Sequence, residues 1–127
     1  MPVPNLSTVE IKAFVPARDF ALSKRFYEAL GFTLASDGDG VAYFRHGDCS
    51  FLLQDSSADE RVVHFAMHLL VEDVEAWHAH VRAQRIAERF GVAIGEPEDR
   101  PWAMRDFTLI DPGGVSWRIA QNIPRRA

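Results

Sequence analysis

The feature that most constrains this chain is an order of elements that occurs twice. "STVEIKAFVPA" (Ser7 to Ala17) alternates apolar and polar residues and is rich in β-branched types, which predicts a strand. Asp19 follows where a helix N-cap belongs, since its carboxylate accepts from the unpaired N–H groups of a first turn. "FALSKRFYEAL" then sets Leu22, Phe26 and Leu30 on one helical face, and Gly31 supplies the stop. "FTLAS", "VAYFRH" and "SFLLQD" are short strand candidates parted by the turn signals "DGDG" and "HGD". After a polar linker, Ser56 to Glu60, the order restarts. Val62 to Val71 predicts a strand, Asp73 a second N-cap, and "VEAWHAHV" a helix burying Val74, Trp77 and Val81. "RIAERFG" reads as an extra turn or short helix. "VAIGE", "RDFTLID" and "VSWRIAQ" read as three strands.

A repeat of this kind is weighed before any single motif. A strand–helix–three-strand unit cannot close its own sheet, so two units side by side are expected to build a larger curved mixed sheet. The expectation is an α+β chain, 1–127 as one domain, with βαβββ modules over 8–55 and 61–121. Helices cover the convex face and the concave face is a trough, lined according to side-chain alternation.

Composition excludes several classes. The chain is 47% hydrophobic and 25% charged, which is globular, and 127 residues suit one domain. Net charge is -4, with 18 acidic against 14 basic residues and no basic block, which argues against nucleic acid. Arg125 and Arg126 read as a solvated terminal pair. One cysteine, Cys49, permits no intrachain disulfide and suits a reducing compartment. No stretch is long and apolar enough to span a membrane, and no leader is read before the first strand. The expected location is the cytoplasm, with no membrane partner.

Catalytic motifs are thin. Cys49 has no neighbour that would lower its pKa and reads as a small buried residue. "GDG" and "DPGG" are turns without the spacing or following helix of a phosphate loop, and no nucleophile elbow is present. His78 and His80 on the second helix read as partly exposed, and His46 as a turn residue.

Three segments carry a resemblance. "FVPARDFALSKRFYEALGF", "HLLVEDVEAW" and "RPWAMRDFTLIDPGG" resemble the vicinal oxygen chelate superfamily, which includes glyoxalase I, extradiol dioxygenases, fosfomycin-resistance enzymes and bleomycin-resistance proteins. The resemblance runs from about Val9 to Gln121. Pro101–Trp102 before "RDF" is most similar to the bleomycin-resistance subgroup, although Ala103 stands where glycine is common. The fold it implies is the glyoxalase/bleomycin-resistance fold. Its metal enzymes draw His, Glu or Gln ligands from the first strand of each half and from the last strand. Carried over by motif, those positions are Lys12, Ala66 and Arg118, and neither a cation nor a methyl group has a lone pair to give. The expectation is no metal and no cofactor. His64 and His68 share strand parity with Ala66, so they are either trough histidines or the makings of a shifted metal site.

In the bleomycin-resistance subgroup, matching Trp and Phe positions sandwich planar rings in a cleft between two subunits. The resemblance therefore implies a homodimer with Trp102 as a stacking wall and Phe14 and Phe51 as trough aromatics. It also makes "MPVPN" a candidate exchange arm, since Pro2 and Pro4 favour extended chain. Trp102 as a packing anchor of its own hairpin is the competing reading. Trp77 and Trp117 read as core. Lys12 and Arg118 would place positive charge at the trough floor and suit a partly anionic ligand, though Glu10 is placed to neutralise Lys12. The expected ligand-binding set is thus Trp102, Phe51, Phe14, Lys12, Arg118, His64 and His68, in a metal-free sequestering protein for a planar aromatic molecule. Two other readings stand beside it: a metal-dependent lyase or dioxygenase with a shifted site, and a scaffold without a small ligand.

Overall fold

The computed structural model describes residues 3–58 and 64–125. The expected strand start at Val62, the module boundary at Arg61, the linker end at Asp59 and Glu60, and Pro2 and Arg126 lie outside the described residues. The first module is β1 (Phe14–Ala17), α1 (Phe20–Leu30), β2 (Thr33–Gly38), β3 (Val41–His46) and β4 (Cys49–Asp55). The second is β5 (Ala66–Leu70), α2 (Val74–Ala83), α3 (Ile86–Phe90), β6 (Glu98–Arg100), β7 (Met104–Ile110) and β8 (Ser116–Asn122). Both expected caps form. Asp19 accepts from the Leu22 amide and Asp73 from the Ala76 amide, and Gly31 closes α1 at φ 122°.

Each module builds a mixed sheet of the same order, β1-β4-β3-β2 and β5-β8-β7-β6, with the first-named pair parallel. Within one chain these are two four-stranded sheets, not one larger sheet, because β1 and β5 each remain an edge. One buried cluster joins the modules. Tyr27 from α1 sits 4.8 Å from Phe51 and 5.6 Å from Trp117, ring centroid to ring centroid. The α1 face differs from the simple periodic reading: Ser23 and Tyr27 are buried beside Phe26 and Leu30, while Leu22 is only half-buried. Two histidines meet the C-terminal end of α1, His80 from the second module and His46 from the first. The His80 ring meets the Leu30 carbonyl at 3.0 Å and the His46 ring meets the Gly31 carbonyl at 3.0 Å, serving acceptors a helix end leaves open. His46 is thus the last residue of β3, not a turn residue. His78 is buried, with its ring 3.2 Å from the Gly95 carbonyl.

Three further expectations are corrected. The first strand is short. Phe14 pairs with Leu52, so in the same register Ile11 falls opposite Cys49, the first residue of β4, and anything earlier has run past its neighbour. Val3 to Ala13 is an extended arm outside any strand, with Val3, Leu6, Val9 and Ile11 all strongly exposed. "VAIGE" makes a single bridge, Ile94 to Leu109, and pairing resumes only at Glu98. Pro97 stands in the gap, with no N–H for the ladder. Cys49 is exposed, not buried. The short helix after α2 forms as expected. No helix among the described residues is long and apolar enough to cross a membrane.

Candidate ligand-binding faces

Alternation along the strands decides what each sheet shows on the side away from its helix. In the first sheet, Val15, Ala17, Ala42, Phe44, Phe51 and Leu53 face the core. The opposite face carries Phe14, Leu52 and Tyr43 in one cross-strand row, flanked by Ser50 and Arg45. Phe51 therefore does not share the open face with Phe14. It is 1% exposed and stacks on Phe44 at 5.6 Å, on the side its parity with Leu53 dictates. Phe14, at 52% exposed, is the more exposed of the two aromatics on this face, Tyr43 being half-buried.

Lys12 and Glu10 lie over the same face. The Lys12 ammonium donates to Glu10 at 3.2 Å and sits 4.7 Å above the Tyr43 ring. Glu10 also accepts from the Tyr43 hydroxyl at 3.0 Å and from the Ser50 hydroxyl. The Ser50 bond, first among these contacts, holds the Glu10 carboxyl below its ordinary range. Lys12 is thus a neutralised cation, and Glu10 clips the arm to β3 and β4.

The second sheet's open face is organised by a residue the sequence reading did not single out. Asp106 is fully buried on β7 and accepts from Arg100 Nε at 2.9 Å on one oxygen and from Arg118 Nη1 at 3.0 Å on the other. Two charge-assisted bonds compensate a desolvated carboxylate. Arg118 is consequently not a bare charge at the trough floor. The register sets His68, Arg118 and Thr108 in one row across β5, β8 and β7, and Ala66, Ser116 and Ile110 in the next. Trp102 lies beyond this sheet's far end, in the β6–β7 turn, 55% exposed. His64 is exposed just ahead of β5.

The expected residues therefore divide. Lys12 and Phe14 sit on the first sheet's open face, His68 and Arg118 on the second, Trp102 at its rim, and Phe51 in the core. A cavity of about 510 Å³ between the arm and β5 is bordered by Phe51 and His68, but by neither Trp102 nor Arg118. Metal chemistry fits none of these faces. Lys12, Ala66 and Arg118 are not donors, and no cluster of three or more His, Cys, Asp or Glu suited to an ion occurs among the described residues.

A second buried polar group, also absent from the sequence reading, sits between the modules. The Tyr27 hydroxyl donates to Asp111, Trp117 Nε1 donates to the Tyr27 oxygen at 2.8 Å, and Asp111 accepts the Gly113 and Val115 amides at 2.8 Å each. Burial, then the Asp111 charge, pushes the Tyr27 hydroxyl well above its ordinary range, so it stays a donor.

Residues 9–119 match the sequence profile of the glyoxalase/bleomycin resistance protein/dioxygenase superfamily. The chain belongs to that superfamily. Among curated superfamily members it is similar to a bleomycin resistance protein of Klebsiella pneumoniae, 27% identical over 111 residues that span 85% of this chain and 88% of that one. Among solved structures it is similar to a bleomycin-binding protein in complex with bleomycin, at TM-score 0.77 and 24% identity over 91% of this chain and 99% of the other. It is also similar to TnmS3, an antibiotic binding protein from Streptomyces sp. CB03234, at TM-score 0.72 and 26% identity over 94% and 99% of the two chains. The first of these structures shares the fold of this chain, whose two βαβββ modules each build a mixed sheet.

Proposed function

We propose that this protein binds and sequesters a planar aromatic small molecule without a metal or cofactor, as a homodimer in the cytoplasm. The observation that carries the reading is Trp102. It is a large aromatic held 55% exposed at the rim of an open sheet face, in a chain similar to an antibiotic binding protein and to a bleomycin resistance protein. Each open face is a half-site. Phe14 stands on one sheet and Trp102 beside the other, and neither lines the cavity of about 510 Å³ between the arm and β5. A second copy, aligned so that the first sheet of one chain faces the second sheet of its partner, would complete the cleft. The exposed apolar arm and Leu70 on the β5 edge support such an association, since contiguous exposed apolar groups mark interaction surfaces. The single free thiol fits a reducing compartment.

Titration with a planar aromatic probe, followed by tryptophan fluorescence and calorimetry, tests the proposal. Stacking on an aromatic side chain is worth about 1–3 kcal/mol, so Trp102→Ala is expected to weaken binding roughly ten- to a hundredfold. Its melting temperature should stay nearly unchanged, as for an exposed side chain. A stability loss of about 3–5 kcal/mol with unaltered binding, the mark of a buried packing aromatic, would reject the proposal.

A further inference from the structure

We infer that Arg118 and Arg100, held by the buried Asp106, form a subsite for an anionic oxygen, carboxylate or phenolate, on the planar ligand. The inference rests on the binding function proposed above and specifies the chemistry of its ligand. Asp106 lies beneath both guanidinium groups and engages one oxygen with each, at 2.9 and 3.0 Å. One buried negative charge between two positive ones leaves the inner cluster with one excess positive charge. Glu98 also meets Arg100, at 3.1 Å, but its side chain is 64% exposed, where solvent screens it. Arg118 spends a single N–H on Asp106 and keeps the rest of its fork, which is 39% exposed on the open face.

The surroundings suit the same ligand. Thr108 and His68 flank Arg118 in register, adding a hydroxyl and an imidazole to the row. No acidic side chain occupies the two rows that hold Ala66, Ser116, Ile110, His68, Arg118 and Thr108. A guanidinium fixed from behind by a carboxylate meets a second carboxylate with its geometry already set, which lowers the ordering cost of binding. Asp106 acts here as a positioning residue. Its removal would raise the local positive charge yet release both arginines from their orientation.

Binding of pyrene-1-carboxylate, pyrene-1-carboxamide and a pyrene trimethylammonium salt to the full chain discriminates the possibilities. The acid is expected to bind about tenfold or more tighter than the amide, as for a charge-assisted hydrogen bond, and the cation weakest. Arg118→Gln should bring the acid's affinity down to about that of the amide, so that the acid-to-amide ratio falls by about tenfold whatever the variant does to the amide itself. Asp106→Asn should also reduce that ratio, a sign opposite to that of the added charge alone, and the amide's affinity reports whether that variant is still folded. Arg118→Gln keeps the test decisive if Asp106→Asn fails to fold. Equal binding of acid and amide, or an acid advantage that survives Arg118→Gln, overturns the subsite while leaving stacking on Trp102 intact. Failure of all three probes to quench Trp102 overturns the binding function and the subsite with it.

Discussion

Ala103 adopts a backbone conformation that favours another residue. Its φ is 63°, in the left-handed region, at the turn that carries Trp102. A Cβ there costs about 1–2 kcal/mol relative to glycine. Ala103→Gly is therefore expected to stabilise the fold by about 0.5–1 kcal/mol, read as a higher midpoint in urea, because relief of strain outweighs glycine's extra freedom in the unfolded chain. A lower midpoint would mean that the turn relaxes elsewhere. Alternation groups Lys12 with Phe14 and sets Arg118 opposite Trp117 in parity. It does not say which acid answers each cation. Glu10 sits two residues from Lys12, and the sequence anticipates their pairing. Asp106 reaches Arg118 only through the β7–β8 register and the depth of one sheet, neither of which a linear pattern records. Phe51 fails for a related reason: parity groups it with Cys49 but does not say which parity faces the helix.

At the scale of elements, the caps, turns and helices were legible because each is a local choice. Asp19, Asp73, Gly31 and the Asp39–Gly40 turn, both of positive φ, are specified within a few residues of themselves. Strand extent is not local. The first strand starts only at Phe14, where it pairs with Leu52 of β4, and the edge segment after α3 is interrupted at Pro97, so both depend on a partner. The Tyr27–Asp111–Trp117 group is likewise invisible in sequence, since it ties α1 of one module to the β7–β8 hairpin of the other. Tyr27→Phe deletes the donor to Asp111 and the acceptor of Trp117 Nε1. With about 1–3 kcal/mol for each buried group left unpaired, a loss of roughly 2–6 kcal/mol is expected by denaturant unfolding. A loss within experimental error would show that water replaces the hydroxyl. The arm supplies a pH test. The Glu10 carboxyl is held below its ordinary range, so its contribution to arm docking is fully present above that range and is lost as pH falls through the lowered value. An NMR titration of the Glu10 side chain should give a midpoint below that of free glutamate. A midpoint at or above it would mean that the clip to Ser50 and Tyr43 does not form.

For the whole molecule, the repeat was the most informative property of the sequence, and it fixes the two modules and their identical strand order. Association is not encoded in the same way. A chain whose two sheets turn open faces outward, with Val3, Leu6, Val9 and Ile11 on an unpaired arm, leaves apolar surface for a second copy to cover. A stable interface of that kind buries more than roughly 1,000 Å² in total. Two chains, a planar ligand and no metal are three properties of one assembly. Native mass spectrometry of the purified protein with pyrene-1-carboxylate reads all three at once. A dimer is expected whose mass rises by bound ligand in a Trp102-dependent manner, with no mass for a transition metal. A ligand-free monomer, or one equivalent of zinc, iron or manganese per chain, would contradict it.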